Sequence, residues 1–257
     1  MQIKQLSDAA GTQFPPGLKK LEYRTDLDDW AMLYGHSPHQ IGVVVLHGHG
    51  SGGDQLLVRP DLKSWLDSLL GHGLGFLTPN LRGNAWMCPE AVNDLEALIR
   101  WVKEEFGWRK IILASGSMGG TGNLIFAMLR PELADAVIAL GAATDLPRYL
   151  EWLAQQELPV CGEIHEAILT AYRHDPVLLA AHSVERHAEK LAMPVWYSHG
   201  SRDRLMPVSE AQSLAAKFPA HGRFHFHEIP DGEHDSPLQL FEKYLDKAVQ
   251  YNKELVE

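Results

Sequence analysis

Cysteine is scarce in this chain. Only Cys88 and Cys161 occur in 257 residues, too few for a disulfide framework, and both read as small apolar residues that pack inside. No apolar stretch approaches the roughly 18–20 residues that a bilayer-spanning helix needs. The segment from Met1 to Phe14 has no basic start followed by an apolar run, so it does not read as a secretory signal. These absences lead to the expectation of a cytoplasmic chain without a membrane partner. Basic residues are also in short supply: 23 Lys and Arg stand against 33 Asp and Glu, a formal net charge of −10. No basic cluster supplies the patch or stripe that nucleic-acid binding requires, so no nucleic-acid partner is expected. The acidic surplus disfavours polyphosphates and anionic surfaces and leaves a small neutral substrate open. Internal repeats and low-complexity segments are missing as well. Oligomeric state is not readable.

What is present is ordinary globular composition, 45% hydrophobic and 22% charged, and a length that one α/β domain commonly fills. Residues 1–18, with Gly, Pro, Ser and Thr, read as irregular. Leu21-Glu22-Tyr23-Arg24 and Trp30-Ala31-Met32-Leu33-Tyr34 flank a polar Asp26-Leu27-Asp28-Asp29 turn, the pattern of an antiparallel hairpin. Ile41 to Leu46 is a continuous apolar run, as in a strand buried on both faces of a parallel sheet. Helices and strands then alternate. Helices are expected over 57–70, from Pro89 to about Phe106, and over 118–129, 209–218 and 238–256. Strands are expected over 74–78, 110–114, 136–140, 195–199 and 224–229. Such alternation implies a mostly parallel sheet with helices on both faces, with the antiparallel hairpin at its start.

About 50 residues between Gly141 and Pro194 break this rhythm. They are helix-like and rich in Leu, Ala, Glu and His. A connection this long inside one domain usually carries function. Residues 145–190 therefore read as a helical cap insertion within a single 1–257 domain. Its Tyr149, Trp152, Leu153, Ile168 and Tyr172 are candidates either for pocket walls or for packing onto the core.

Serine is a weak nucleophile at neutral pH. It needs a base, a group that orients the base, and donors for the oxyanion. Ser117 lies in Ser115-Gly116-Ser117-Met118-Gly119-Gly120, directly between an expected strand and an expected helix. A sharp strand-to-helix turn of this kind projects a serine oxygen above the sheet edge. Ser115 stands where such turns usually have a first glycine. Asp203 follows the strand 195–199 in His199-Gly200-Ser201-Arg202-Asp203, at the carboxyl end where open α/β sheets gather functional groups. The alternative is that it caps a turn or pairs with Arg202 or Arg204. His234 sits in Asp231-Gly232-Glu233-His234-Asp235, beyond the strand 224–229. Ser117, Asp203 and His234 thus come in the order nucleophile, acid, base. His47-Gly48-His49-Gly50 follows the strand at 41–46. The backbone N–H groups of His49 and Met118 are the candidate oxyanion donors. This loop lacks the Lys-Ser/Thr ending of a phosphate-cradling loop. His47 and His49 have no third ligand at metal-binding spacing. No cofactor and no metal are expected.

These four motifs together resemble the α/β-hydrolase superfamily over nearly the whole chain from Ile41 onward. Pro79-Asn80-Leu81-Arg82-Gly83-Asn84 is similar to the loop after the fourth strand in that superfamily. Lys190-Leu191-Ala192-Met193-Pro194 followed by His199-Gly200-Ser201-Arg202-Asp203 resembles the prolyl-oligopeptidase-like and small carboxylesterase branch. The resemblance implies ester, deacetylase or peptidase chemistry through an acyl-enzyme, without a cofactor. Peptidases of that branch often carry an N-terminal propeller, for which this chain has no room. The expectation is therefore a serine esterase acting on a small-molecule carboxylic ester. A peptidase or amidase on the same residues is the alternative, and a non-catalytic binding protein on the same fold is a third.

Overall fold

The structure, a computed structural model, describes residues 5–8, 14–24, 28–219 and 222–254. Its strands are β1 (Gln5–Asp8), β2 (Leu18–Arg24), β3 (Asp29–Tyr34), β4 (Ile41–Val44), β5 (Gly75–Pro79), β6 (Lys110–Gly116), β7 (Ala136–Leu140), β8 (Val195–Gly200) and β9 (Phe224–Ile229). Between and after them run α1 (Gln55–Val58), α2 (Lys63–Gly71), α3 (Pro89–Phe106), α4 (Ser117–Leu129), α5 (Leu146–Leu153), α6 (Pro159–Ala171), α7 (Pro176–Ala181), α8 (Val208–Ala215) and α9 (Phe241–Glu254). The nine described strands form one sheet in the order β1-β2-β3-β5-β4-β6-β7-β8-β9. β1, β2, β3 and β5 pair antiparallel in succession, and β5-β4-β6-β7-β8-β9 are parallel. This is the expected mostly parallel sheet with an antiparallel start.

Alternation along the strands divides the core in two. Ile111 and Leu113 of β6, with Val137 and Ala139 of β7, face a layer built from α3 to α8. Ile112 and Ala114, with Ala136, Ile138 and Leu140, face α1, α2 and α9. Successive side chains of a strand point to opposite faces, so a strand buried on both sides must be apolar throughout. On α3, Val92, Leu95, Leu98, Ile99 and Val102 recur at helical spacing and are buried.

Three expectations change. Residues 5–8 are a strand rather than irregular chain, paired along β2 from Gln5↔Glu22 to Asp8↔Lys19. The helix expected over 57–70 is broken: α1 ends before Arg59, a 3-10 turn spans Pro60–Leu62, and α2 follows. Pro60 has no N–H to donate, and it drives Arg59 to an extended φ of −81° and ψ of 117°. The hairpin turn residues Asp26 and Leu27 lie outside the described residues. Asp29, read as part of that turn, is instead the buried first residue of β3. Among the described residues, no helix is long and apolar enough to cross a membrane.

The loops that carry the candidate residues all leave carboxyl ends of parallel strands: 47–53 after β4, the Ser117 turn after β6, Asp203 after β8 and His234 after β9. Backbone direction alone therefore brings them to one edge of the sheet.

Candidate active site

β6 runs into α4 without a linker, and Ser117 takes a left-handed φ of 56° at the junction. Non-glycine residues rarely adopt this conformation, which costs of order 1–3 kcal/mol and turns the side chain out of the helix. The turn can close only because its neighbours are small. A Cβ on Gly119 would lie 2.4 Å from the Leu46 carbonyl oxygen. Ser115, the departure from the usual first glycine, is completely buried and has a definite role. Its Oγ accepts from the Leu46 N–H at 2.7 Å and donates to the Asn123 amide oxygen at 2.8 Å, which also accepts from the Ala114 and Ser115 N–H groups. The hydroxyl thereby ties the turn to the end of β4. It also explains why β4 ends earlier than expected: the Leu46 N–H is committed to a side chain.

The Ser117 Oγ lies 3.0 Å from His234 Nε2, and His234 Nδ1 lies 2.8 Å from Asp203 Oδ2. A carboxylate only accepts, so Nδ1 carries the proton and Nε2 is left as the acceptor for the serine hydroxyl. Asp203 is buried and accepts on both oxygens. Oδ1 takes the N–H groups of Leu205 at 2.8 Å and Met206 at 2.9 Å. Burial by itself would raise the pKa of this carboxyl. The hydrogen bonds from His199, His234 and Met206, with the charge of His234, outweigh burial and hold it well below the usual carboxylate range. The alternative pairing of Asp203 with Arg202 does not occur; Arg202 pairs with Asp231 at 2.6 Å. The loop bearing His234 is fixed against β8. The Gly232 carbonyl accepts from the Arg202 N–H at 2.8 Å, and the Ser201 Oγ accepts from the Asp231 N–H at 2.8 Å. A Cβ on Gly200 would lie 2.4 Å from the carbonyl oxygens of Gly232 and Glu233, so β8 and this loop touch at van der Waals limits.

The loop after β4 is held open by side chains. The Gly48 N–H donates to Gln55 Oε1 at 2.7 Å and the Gly50 N–H to Asn84 Oδ1 at 2.8 Å. The His49 N–H has no hydrogen-bond partner among the described residues. The imidazole of His47 lies between the carbonyl oxygens of Gly48 (2.8 Å) and Asn80 (2.9 Å). That of His49 accepts from Trp86 Nε1 at 3.3 Å, and burial lowers its pKa. Among the described residues no group of three His, Cys, Asp or Glu is arranged to hold a metal ion. Asn80 is in turn held by Asp29, whose Oδ1 accepts from its side-chain amide at 2.9 Å and whose Oδ2 accepts from the Arg82 N–H at 2.7 Å and from the Tyr23 hydroxyl at 3.0 Å. The leading hairpin thus braces the loop from behind. Sequence reasoning missed Gln55, Asp29 and Trp86; a lone polar residue beside an aromatic-rich loop gives no pattern that finds them.

Residues 145–190 form α5, α6 and α7 and a 3-10 segment over Val184–Lys190. Tyr149, Leu153, Ile168 and Tyr172 are fully or nearly fully buried and pack in the core, while Trp152 is partly buried. The Tyr149 hydroxyl donates to the Leu205 carbonyl at 2.8 Å, two residues past Asp203. The Tyr172 hydroxyl lies 2.9 Å from the Trp86 carbonyl and 3.0 Å from that of Met87. At the root of this segment, Glu210 of α8 is fully buried. Its Oε2 accepts from the N–H groups of Thr144 and Asp145, both at 2.8 Å, and its Oε1 accepts from Arg148 Nε at 2.6 Å. Ser117 and His234 open onto a small cleft walled by Gly48, Gln55, Arg59, Leu62, Trp65 and Leu238.

Solved structures show the same fold. An esterase of Pyrococcus furiosus, Pf2001, is 16% identical with a TM-score of 0.63, covering 91% of this chain and 88% of that one. Est1E from Butyrivibrio proteoclasticus is 15% identical with a TM-score of 0.63, covering 98% of each chain. A puromycin-hydrolyzing peptidase of Mycobacterium tuberculosis is 17% identical with a TM-score of 0.62, covering 86% of this chain but 37% of that one. No curated protein sequence matches the chain. The family described as serine aminopeptidase, S33, matches over residues 43–179, just over half of the chain, taking in the 47–53 loop and the Ser117 turn. By that match the chain belongs to the serine aminopeptidase, S33, family of α/β hydrolases.

Proposed function

We propose that this α/β hydrolase is a serine esterase cleaving carboxylic esters of small or medium substrates, with Ser117 as nucleophile, His234 as general base and Asp203 as the acid that orients it. The observation that carries this reading is the continuous relay from Asp203 Oδ2 through both nitrogens of His234 to Ser117 Oγ, at 2.8 and 3.0 Å. In the reaction, Ser117 Oγ attacks the acyl carbon as its proton passes to His234 Nε2. Asp203 stabilises the imidazolium that results. The N–H groups of Met118, at the first turn of α4, and of His49 take the negative oxygen of the tetrahedral intermediate. The alcohol leaves with the proton from His234, giving an acyl-Ser117. Water, deprotonated by His234, then attacks this ester and returns the free serine and the acid. No step calls on a cofactor. Residues 145–190 are read as a cap insertion beside this site, fastened by the bonds from Tyr149 to Leu205, two residues past Asp203, and from Tyr172 to Trp86 and Met87.

A fluorophosphonate probe tests the nucleophile: wild-type protein labels and Ser117→Ala does not. Equal labelling of the two, or none of the wild type, defeats the assignment. An amidase or aminopeptidase is the second reading, favoured by the description of the matched family. The esterases among the similar structures favour the first. Turnover of short p-nitrophenyl esters against aminoacyl p-nitroanilides decides between them.

A further inference from the structure

Asp203 Oδ2 faces two imidazoles. His234 Nδ1 lies 2.8 Å away, and His199 Nε2 lies 3.3 Å away on the other side. Both the His199 and the Asp203 side chains are 0% exposed. His199 Nε2 also lies 2.9 Å from the Met206 carbonyl. Both neighbours of Nε2 are acceptors, so Nε2 carries a proton, directed at the Met206 carbonyl with Asp203 Oδ2 as the longer contact. The other ring nitrogen, Nδ1, faces Tyr197 Oη at 3.4 Å, and that hydroxyl donates to the Ala142 carbonyl at 2.5 Å. No competing donor therefore turns the ring, and its position is set by β8 below and by the Asp203–Met206 loop above. The reading of the sequence placed His199 only within the approach to the acid.

We infer that His199 is a positioning residue of the reaction: its Nε2–H lies against the side of Asp203 Oδ2 that His234 leaves free, and so influences how tightly the Asp203–His234 pair holds its proton. This rests on the triad reading given above. A buried carboxylate with fewer donors is more basic. Without the His199 donor, Asp203 would attract the His234 proton more strongly, and a higher pH would be needed before His234 could act as a base. The other titratable groups around the carboxylate are Tyr197 from β8, Tyr149 from α5 and Cys161 from α6, and burial pushes all three upward, so they stay neutral through this range. Glu210 from α8 is engaged by Arg148.

The experiment compares the pH dependence of kcat/KM in wild type, His199→Phe and His199→Gln. Phe keeps the ring and removes the donor; Gln restores an N–H near the Nε2 position. The acidic limb of His199→Phe is expected to move up by about one pH unit, with kcat/KM at pH 6 lower by about tenfold. His199→Gln is expected to return most of the way to wild type. An unmoved limb in His199→Phe, or a Gln variant that behaves like Phe, overturns the inference. Should the Phe variant not fold, side-chain 15N NMR of the wild type decides: a slowly exchanging His199 Nε2–H is expected, and an Nε2 without a proton overturns it. Fluorophosphonate labelling of the wild type separates the two ideas. Failure to label defeats the triad itself, whereas normal labelling with an unmoved limb defeats only the part given to His199.

Discussion

At the Ser117 turn, six consecutive residues hold the candidate nucleophile by backbone shape: a left-handed φ, a glycine that has no room for a Cβ, and a buried serine bonded to the neighbouring strand. In residues 145–190 the means of support are different. Those helices are fastened by side-chain bonds to distant parts of the chain, to Glu210 at the root, from Tyr149 to the Leu205 carbonyl and from Tyr172 to Trp86 and Met87. Local backbone geometry tolerates little change and is written in a short stretch of sequence. Side-chain anchorage depends on pairs separated by tens of residues. The two regions should therefore fail in different ways.

The largest expected effect separates chemistry from folding. Ser117→Ala should lower kcat for an activated ester by about 10^4 or more, with an unchanged urea midpoint. A large stability change would mean that the side chain also supports the turn. Next, Glu210→Ala leaves two backbone N–H groups without their buried acceptor and leaves Arg148 with Glu185 alone. It should cost about 3–4 kcal/mol in urea unfolding, from two buried N–H groups left unsatisfied, with faster hydrogen exchange across 145–190. Exchange that rises equally in β6 and α4 would erase the distinction between the regions. Gly119→Ala places a methyl against the Leu46 carbonyl. Displacing Ser117 by even about 1 Å should reduce kcat roughly 10^2-fold, so steady-state kinetics should show a loss far larger than a melting curve would suggest. The smallest effect is Tyr172→Phe, which removes one hydroxyl from the Trp86 and Met87 carbonyls and should cost about 1–2 kcal/mol, seen as a lower urea midpoint with kcat little changed.

The same contrast explains what the sequence revealed. The Ser117 turn and the apolar strands were legible because each depends on neighbours along the chain: glycine next to serine, and β-branched runs. The 145–190 segment was legible as helical and long. Its aromatic residues suit either a pocket wall or the core by sequence, and burial places Tyr149 and Tyr172 in the core. What could not be read were relations across the fold. Asp29 looked like a solvated turn residue, yet it is buried and bonded to Tyr23, Asn80 and Arg82. Gln55 sits in a short helix with no motif and holds the Gly48 N–H. The strand at 5–8 has no apolar run to announce it and exists by pairing along β2. Pro60 was a visible signal, and it does what a proline inside a helical pattern is expected to do.

The left-handed backbone at Ser117 limits which amino acids the site could adopt in evolution or in the laboratory. A side chain with a single substituent on Cβ fits that conformation; a β-branched one collides with its own backbone there. Ser117→Cys would exchange oxygen for sulfur and keep a presentable nucleophile. Ser117→Thr would keep the hydroxyl and lose the shape that presents it. The turn therefore chooses among nucleophiles by branching rather than by chemistry, and a thiol enzyme lies closer to this scaffold than a threonine one.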